Sequence, residues 1–462
     1  MSKNELAGSF CLTPLYGKMK AVNNKSVEGC KMTQQGPSMY ITALQDSIQL
    51  AKGCTEPVAV ALAAANCGQQ LGREPVAQID VAVSANVFKN ALAVIVPGTG
   101  EAGLPVAAAI GYLVGNPTAG LGVIPRVTAA QCDQVKKLAH SGKVRVTVAD
   151  VEEKLYVAVR VTTVTGHTAC ANIAGSHTNI YLVKHDDQVV IDRGKPTAAK
   201  PSSWLAFIRQ TNLADIWNFA TTAPLDQLEF ITVTKDYNMA LAREGLNHQY
   251  GMGVGRALNN PDGLGETTTL TNQVVAQTAA AADARMGGSQ LLAATNSGSG
   301  NQGITATVPV CVVADHWHSS PEQLVRALTL SHLTLIYIHS FLPSLTAYCA
   351  THAAAMGAAT GICYLAGGSV ADAGRAIKIM VGDANGMICD GAGCSCAVKV
   401  STSVQTMLKA VNMALQGITI PATNGVVSES VDDTIRDLGR LTSEGMAATD
   451  SVILKIMQAK KH

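Results

Sequence analysis

The chain changes texture twice, and those changes constrain its fold more than any single motif does. From about Glu74 to Arg193, the segments PVAQIDVAVSANVF, ALAVIVP, KVRVTVADV, KLYVAVRVTTV, TACANIAG and TNIYLVKH alternate or run in β-branched residues, as strands do. LPVAAAIGYLV and TAAQCDQVKKLAHSG, set between them, read as helices. On either side the pattern is helical. It begins at Tyr40, pauses at GCTEP and resumes as VAVALAAANC, with Thr55 placed to cap that second helix and Pro57 in its first turn. Beyond the linker DRGKPTAAKPSS, runs such as PEQLVRALTLSHLTLIYIHSFL and SVDDTIRDLGRLTSEGMAATDSVILKIMQA are helical again. This predicts an α+β fold: a mainly helical domain, split into 38–73 and 196–462, with an α/β domain inserted at 74–195. Residues 1–37 mix Asn, Ser, Lys and Gly without period and read as a poorly ordered tail.

Composition excludes several roles. With 34 basic and 33 acidic side chains in 462 residues, the net charge of +1 creates no field to gather nucleic acid or an acidic membrane. Aromatics at 4% leave few platforms for stacking bases. The first ten residues lack the apolar core of a signal peptide. Ala102 to Pro125 is broken by Asn116-Pro117 and glycines, and Pro343 to Ser369 holds His352 among small residues. Both therefore read as buried helices of a soluble protein rather than membrane spans. The twelve cysteines lack the spacing of a secreted disulfide scaffold, which points to a reducing cytoplasm. A small-molecule ligand, no nucleic acid, no membrane and a possible homo-oligomer are the expected partners.

The chemistry-bearing stretch is GMICDGAGCSCAVK, residues 386–399. Cys389, Cys394 and Cys396 stand there in a turn too glycine-rich to continue a helix. Thiolates are soft ligands, and glycines let backbone approach a bulky inorganic group. The spacing is not that of a zinc ribbon, and an iron–sulfur cluster held by three thiolates with one iron open is the sharper reading.

Other motifs stay ambiguous on residues alone. Gly98 to Gly103 matches the dinucleotide fingerprint, yet no acidic residue occurs from Leu104 to Cys132 to bind a ribose. Gly298 to Gly303, in TNSGSGNQGI, is either an anion-holding nest or a plain turn. Cys54 precedes a helix N-terminus, where a thiol can be activated as a base or can be inert. His167 and His177 end strands as general bases or as structural imidazoles. Cys349, read alone, is a small core residue on a helix. No lysine lies between Lys235 and Lys378, which lowers the case for pyridoxal phosphate.

Together these motifs resemble the L-cysteine desulfidase family, the serine dehydratase α-chain-like proteins. The resemblance runs from about Leu44 to the C-terminus. It rests on GCTEP (53–57), KNALAVIVPGTG (89–100), GLPVAAAIG (103–111), NPTAGLGV (116–123), GSHTNI (175–180), DARMGG (283–288), SGSGNQGI (297–304), YCA (348–350) and GMICDGAGCSCAVKVS (386–401). It departs from the family at Ala282 and LLAATN and in having the N-terminal tail.

The resemblance implies that the helical domain is catalytic and carries an oxygen-sensitive [4Fe-4S] cluster, without pyridoxal phosphate. The implied cluster ligands are Cys349, Cys389 and Cys396, leaving Cys394 out. It also implies α,β-elimination of L-cysteine to sulfide, ammonia and pyruvate. The base is Cys54 as thiolate, or His177. Ser297, Gly298, Ser299, Gly300 and Asn301 form the nest for the substrate carboxylate, with Thr55, Glu56, Lys89 and Asn90 as further contacts. Two alternatives stand beside it: an L-serine dehydratase of the same cluster type, and a non-enzymatic iron–sulfur sensor.

Overall fold

The computed structural model describes residues 35–196, 202–260, 269–343 and 345–460. Residues 1–34 of the expected tail lie outside that range, and the helix Gln35–Ser47 takes up the rest of it. The fold is α+β. Among the described residues there are eight strands: β1 (Leu50–Lys52), β2 (Val76–Val83), β3 (Val144–Val148), β4 (Tyr156–Thr163), β5 (Thr168–Ala174), β6 (Ile180–His185), β7 (Gln188–Asp192) and β8 (Leu292–Ala294). β1 and β8 form a small antiparallel pair, while the others make one sheet in the order β3-β2-β4-β5-β6-β7.

Within this sheet β2 and β3 run parallel. The long connection through the helices Ala85–Ala91, Leu104–Val114 and Ala129–Ala139 lets the chain return in the same direction. From β4 to β7 the strands are hairpin-linked and antiparallel. Alternate residues of β4 (Val157, Val159 and Val161) are buried. They share one apolar core with the helices Thr55–Gln70 and Leu104–Val114, so one face of the sheet is covered. Val164, Val189 and Val190 stay exposed.

The helix Thr55–Gln70, which sequence texture groups with the helical domain, thus buries its side chains with the sheet. It meets Leu104–Val114 backbone to backbone: a Cβ on Gly111 would lie 2.2 Å from the Ala61 carbonyl oxygen. Only glycine permits that approach, and it makes the start of the helix a rigid platform.

Two strand expectations differ, and one strand is additional. ANVF is helical, within Ala85–Ala91. ALAVIVP makes only isolated bridges, Ala93 to Gly393 and Ile95 to Ala102. Its apolar run reflects burial of Val94 and Val96 rather than a continuous ladder. β7, whose burial does not alternate, was not legible as a strand.

The rest of the chain packs around the helix Ala350–Leu365, whose residues Thr351 to Cys363 are all buried. Pro321–His339, Gly300–His316, Val370–Ala384 and Cys396–Leu415 surround it and share its apolar core. Among the described residues no helix is long and apolar enough to cross a membrane.

Candidate active site

Helix N-termini and the turns beside them bring the site together. Cys54 has extended backbone and is itself the N-cap of Thr55–Gln70, with no side-chain capping bond. Thr55, expected as the cap, is instead the first helical residue. Its hydroxyl lies 3.1 Å from Glu56 Oε2 and 3.3 Å from the Gly298 carbonyl, tying this helix to the glycine loop.

Glu56, 5% exposed, is the hub of the site. Its Oε2 accepts the Cys54 thiol at 2.9 Å and its Oε1 accepts Asn90 Nδ2 at 3.1 Å. His177 Nε2 stands 4.0 Å from Oε1, delivered by the turn between β5 and β6. Burial raises the Glu56 carboxyl, but His177 and the bonds from Cys54 and Asn90 outweigh it and hold the group below its ordinary range. Glu56 is therefore ionised at neutral pH.

At rest the site favours the Cys54 thiol over the thiolate. Burial, followed by the charge on Glu56, pushes the thiol well above its ordinary value, and the opposing pull of Arg285 is weaker. The helix N-terminus cannot overcome a buried carboxylate two residues away. His177 moves the other way. Burial lowers its pKa against the influence of Glu56, so the ring is neutral, and its Nε2 has no hydrogen-bond partner.

The glycine loop lies against this hub. Ser297 and Gly298 both take positive φ, 48° and 81°. Ser299 caps the helix Gly300–His316 without a side-chain bond, leaving first-turn N–H groups available. A Cβ on Gly300 would sit 2.2 Å from Arg285 Nε, so glycine makes room for that guanidinium. Arg285 is 4% exposed, its Nε is unpartnered, and among the described residues no carboxylate pairs with it. A buried cation of this kind beside an open helix N-terminus is a site for an anion. Asn90 Oδ1, Asn301 Oδ1 and Gln302 Oε1 are likewise buried without partners.

The thiols converge from the other side. Residues 347–349 and 387–389 pair antiparallel, with the Cys349 N–H donating to Met387 O at 3.0 Å and the Cys389 N–H to Ala347 O at 2.6 Å. Cys349 is thus the N-cap of Ala350–Leu365 rather than a residue on the helix. Cys396 opens the helix Cys396–Leu415. Burial lifts the Cys349 thiol to about 11, with Cys389 adding to the rise. Cys396 is lifted to about 12 by burial, with Cys389 and Cys349 adding to it against the pull of the Gly393 N–H. Each of these two thiols feels its neighbours, and the described cysteines are all free.

This donor set fits a polynuclear iron–sulfur group. Among the described residues the His167, His185 and Asp186 group is the one whose ligand atoms lie within 4.8 Å of one another. The thiol trio is therefore spread more widely than the ligands of a single ion, and a cluster takes its thiolates on separate irons. Cys396 packs against Cys54, Val94 and Met286, which joins the thiol half to the Glu56 half.

Lys89 and His167, both weighed in the sequence, make other contacts. Lys89 is buried and spends its ammonium on Asp450 Oδ1 at 2.5 Å and the Cys389 carbonyl at 3.4 Å. It props the cysteine loop at the carbonyl of Cys389. His167 shares Asp186 Oδ2 with His185, at 3.1 and 3.7 Å, while Asp186 Oδ1 accepts the Thr168 N–H at 2.7 Å. That exposed group is a clasp on the β5–β6 strand pair. Cys394, left out of the ligand set, approaches Met286 O at 3.8 Å.

The serine dehydratase alpha chain family model matches residues 118–455. The UPF0597 protein of Latilactobacillus sakei subsp. sakei (strain 23K) is 51% identical over 425 residues, covering 91% of this chain and 98% of that protein. The UPF0597 protein of Chromobacterium violaceum is 44% identical, covering 91% and 97%. The UPF0597 protein YhaM of Escherichia coli O1:K1 / APEC has the same identity and coverage. The chain belongs to the serine dehydratase alpha chain family.

The stretch matched to the serine dehydratase alpha chain contains His177, Arg285, the glycine loop and all three thiols, and it begins beyond Cys54, Glu56 and Asn90. Sequence reasoning missed Arg285. Its signal was present: Asp283 and Arg285 are the charges in the otherwise apolar, buried C-terminal half of the helix Leu270–Met286. Asp283 Oδ2 accepts the Gly255 N–H at 2.9 Å, while Arg285 Nη1 donates only to Met286 Sδ at 3.3 Å and has no counter-charge among the described residues.

Proposed function

We propose that this chain is an L-cysteine desulfidase, converting L-cysteine and water to sulfide, ammonia and pyruvate by α,β-elimination. The observation that carries the reading is the junction at Cys54, Met286 and Cys396. There a three-thiol donor set meets a buried polar pocket with an unpaired arginine. Cys349, Cys389 and Cys396 would hold a [4Fe-4S] cluster. When bound, the cluster supplies an open Lewis-acidic iron that makes the β-substituent a better leaving group.

The chain's own residues account for the remaining steps. Arg285 and the first-turn N–H groups of Gly300–His316 receive the substrate carboxylate. His177, neutral and with Nε2 free, takes the α-proton. Cys54 stays a thiol because burial, and then the Glu56 carboxylate to which it donates, raise its pKa, so it is the acid of the pair. As the α-proton moves to His177, the Cα–H electrons form the Cα–Cβ double bond and the Cβ–S bond breaks with its pair on sulfur. Aminoacrylate tautomerises to the imine, and water hydrolyses it to pyruvate and ammonium.

A second reading, L-serine dehydratase, is favoured by the family description itself. In it the Cβ–O bond breaks and water leaves. Anaerobically reconstituted protein should release sulfide and pyruvate from L-cysteine with a higher kcat/KM than it releases pyruvate from L-serine. Preference for serine without sulfide would move the assignment to the dehydratase. Bound iron with turnover of neither would leave a sensor.

A further inference from the structure

His332 lies at the centre of the helix Pro321–His339, fully buried, and no step above uses it. Both of its ring nitrogens are bonded. Nε2 is 3.0 Å from Thr307 Oγ1, and Nδ1 is 2.9 Å from Asn296 Nδ2. Burial pushes its pKa down to about 3, so the ring is neutral. Thr307 decides the tautomer. Its single hydroxyl hydrogen goes to the Gly303 carbonyl at 2.7 Å, so it accepts from Asn238 Nδ2 at 3.2 Å and from the imidazole. The proton is therefore on Nε2, and Nδ1 accepts from the Asn296 amide.

That choice propagates. With Nδ2 turned to His332, Asn296 presents Oδ1 to the Ser297 hydroxyl, which donates to it at 2.8 Å. The hydrogen of Ser297 is thereby spent, and Oγ offers only lone pairs to anything bound beside it. Asn296 and Ser299 exchange both backbone bonds, at 3.1 and 3.0 Å, and clamp Ser297 at φ 48°. Left-handed backbone at a serine is kept where the surroundings over-determine it.

We infer that His332 is a positioning residue that, through Asn296, turns Ser297 into an acceptor for the α-ammonium of an amino acid. The inference rests on the elimination reading above and adds the polarity of the bound substrate. The carboxylate lies at Arg285 and the helix N-terminus, and the ammonium lies at Ser297.

Two measurements on the cluster-loaded protein test it. Nitrogen NMR of histidine-labelled wild type, with His332→Gln to assign the signal, should give a neutral Nε2–H ring. An Nδ1–H ring overturns the inference, and this readout stands whether or not either substrate is turned over. In the second, Ser297→Ala and His332→Leu should raise KM for the amino acid about 10- to 100-fold, with kcat changed less. The inhibition constant of 3-mercaptopropionate, which lacks the ammonium, should stay within about threefold, because that interaction is absent. His332→Gln keeps one donor and one acceptor and should recover most of the KM. Equal losses for the amino acid and for the deaminated acid would overturn the assignment of Ser297. Absence of turnover in the wild type would instead overturn the elimination reading.

Discussion

The two halves of the site are built differently. Glu56, Asn90 and Arg285 are buried on helices that belong to the two main cores, and the glycine loop beside them runs from half-buried Ser297 to buried Gly300 and Asn301. Of the three thiols, Cys349 is buried, whereas Cys389 and Cys396 are partly exposed and stand on or beside a glycine-containing loop held by a short antiparallel pairing. A pocket that must discriminate one small molecule gains from a rigid frame. A loop that must accept an inorganic cluster needs room and exchangeable thiols. On the proposed reading, folding pre-forms the first half, and the second half would be completed by the cluster it binds.

The sharpest way to break this division is Cys349→Ala. If the trio is a ligand set, the anaerobically prepared variant should lose most of its iron and sulfide, and pyruvate formation should fall to background. Thermal unfolding of the helical body should shift little by comparison. Full iron retention would remove Cys349 from the set and with it the division itself.

Arg285→Met addresses the other half. Removing a buried cation that faces a carboxylate costs about 2–4 kcal/mol, or on the order of 30- to 1,000-fold in kcat/KM. KM should carry most of that loss and iron content should be unchanged. Loss of iron together with activity would mean that the halves are not separable.

The same contrast explains what was legible in the sequence. Cysteine spacing and glycine content mark the thiol loop directly, because soft ligands and close backbone approach need those residue types. The α+β class was readable from β-branched alternation, since β4 does alternate in burial. Arg285 was visible as a charge in an apolar helix half but was missed, because the absence of a counter-charge shows only in three dimensions. The Lys89 ion pair was not readable for the same reason: Asp450 is 361 positions away in the chain. The helix Thr55–Gln70 carries helical texture but packs on a sheet. Periodicity reports a face to be buried, not what will cover it.

The protonation states predict the acid side of the pH profile. The His177 pKa is lowered, chiefly by burial, so its basic form persists below the ordinary imidazole range. The acid limb of kcat/KM should therefore fall below about pH 6.5. His177→Gln should remove it along with most of the rate. A limb above that value would point to a base other than His177. A thiolate base at Cys54 would show as a rate still rising into alkaline pH, because the pKa of that thiol is raised.

The smallest effect concerns stability and tests how deeply the polar half is anchored. His332 has a folded-state pKa of about 3, far below its unfolded value. Above about pH 6.5 the ring is neutral in both states and its titration costs nothing. As pH falls below that, the unfolded chain takes a proton that the folded chain refuses. Stability is then lost at up to about 1.4 kcal/mol per pH unit from this ring alone, until the folded pKa is reached. His352 and His177, whose pKa values are also lowered, add in the same direction. His332→Gln cannot titrate, so denaturant unfolding followed between pH 6.5 and 4.5 should show a shallower slope than the wild type, even if the variant is less stable at pH 7. Unchanged slopes would mean that the ring becomes protonated in the folded state, and then neither the tautomer nor the orientation of Ser297 would hold.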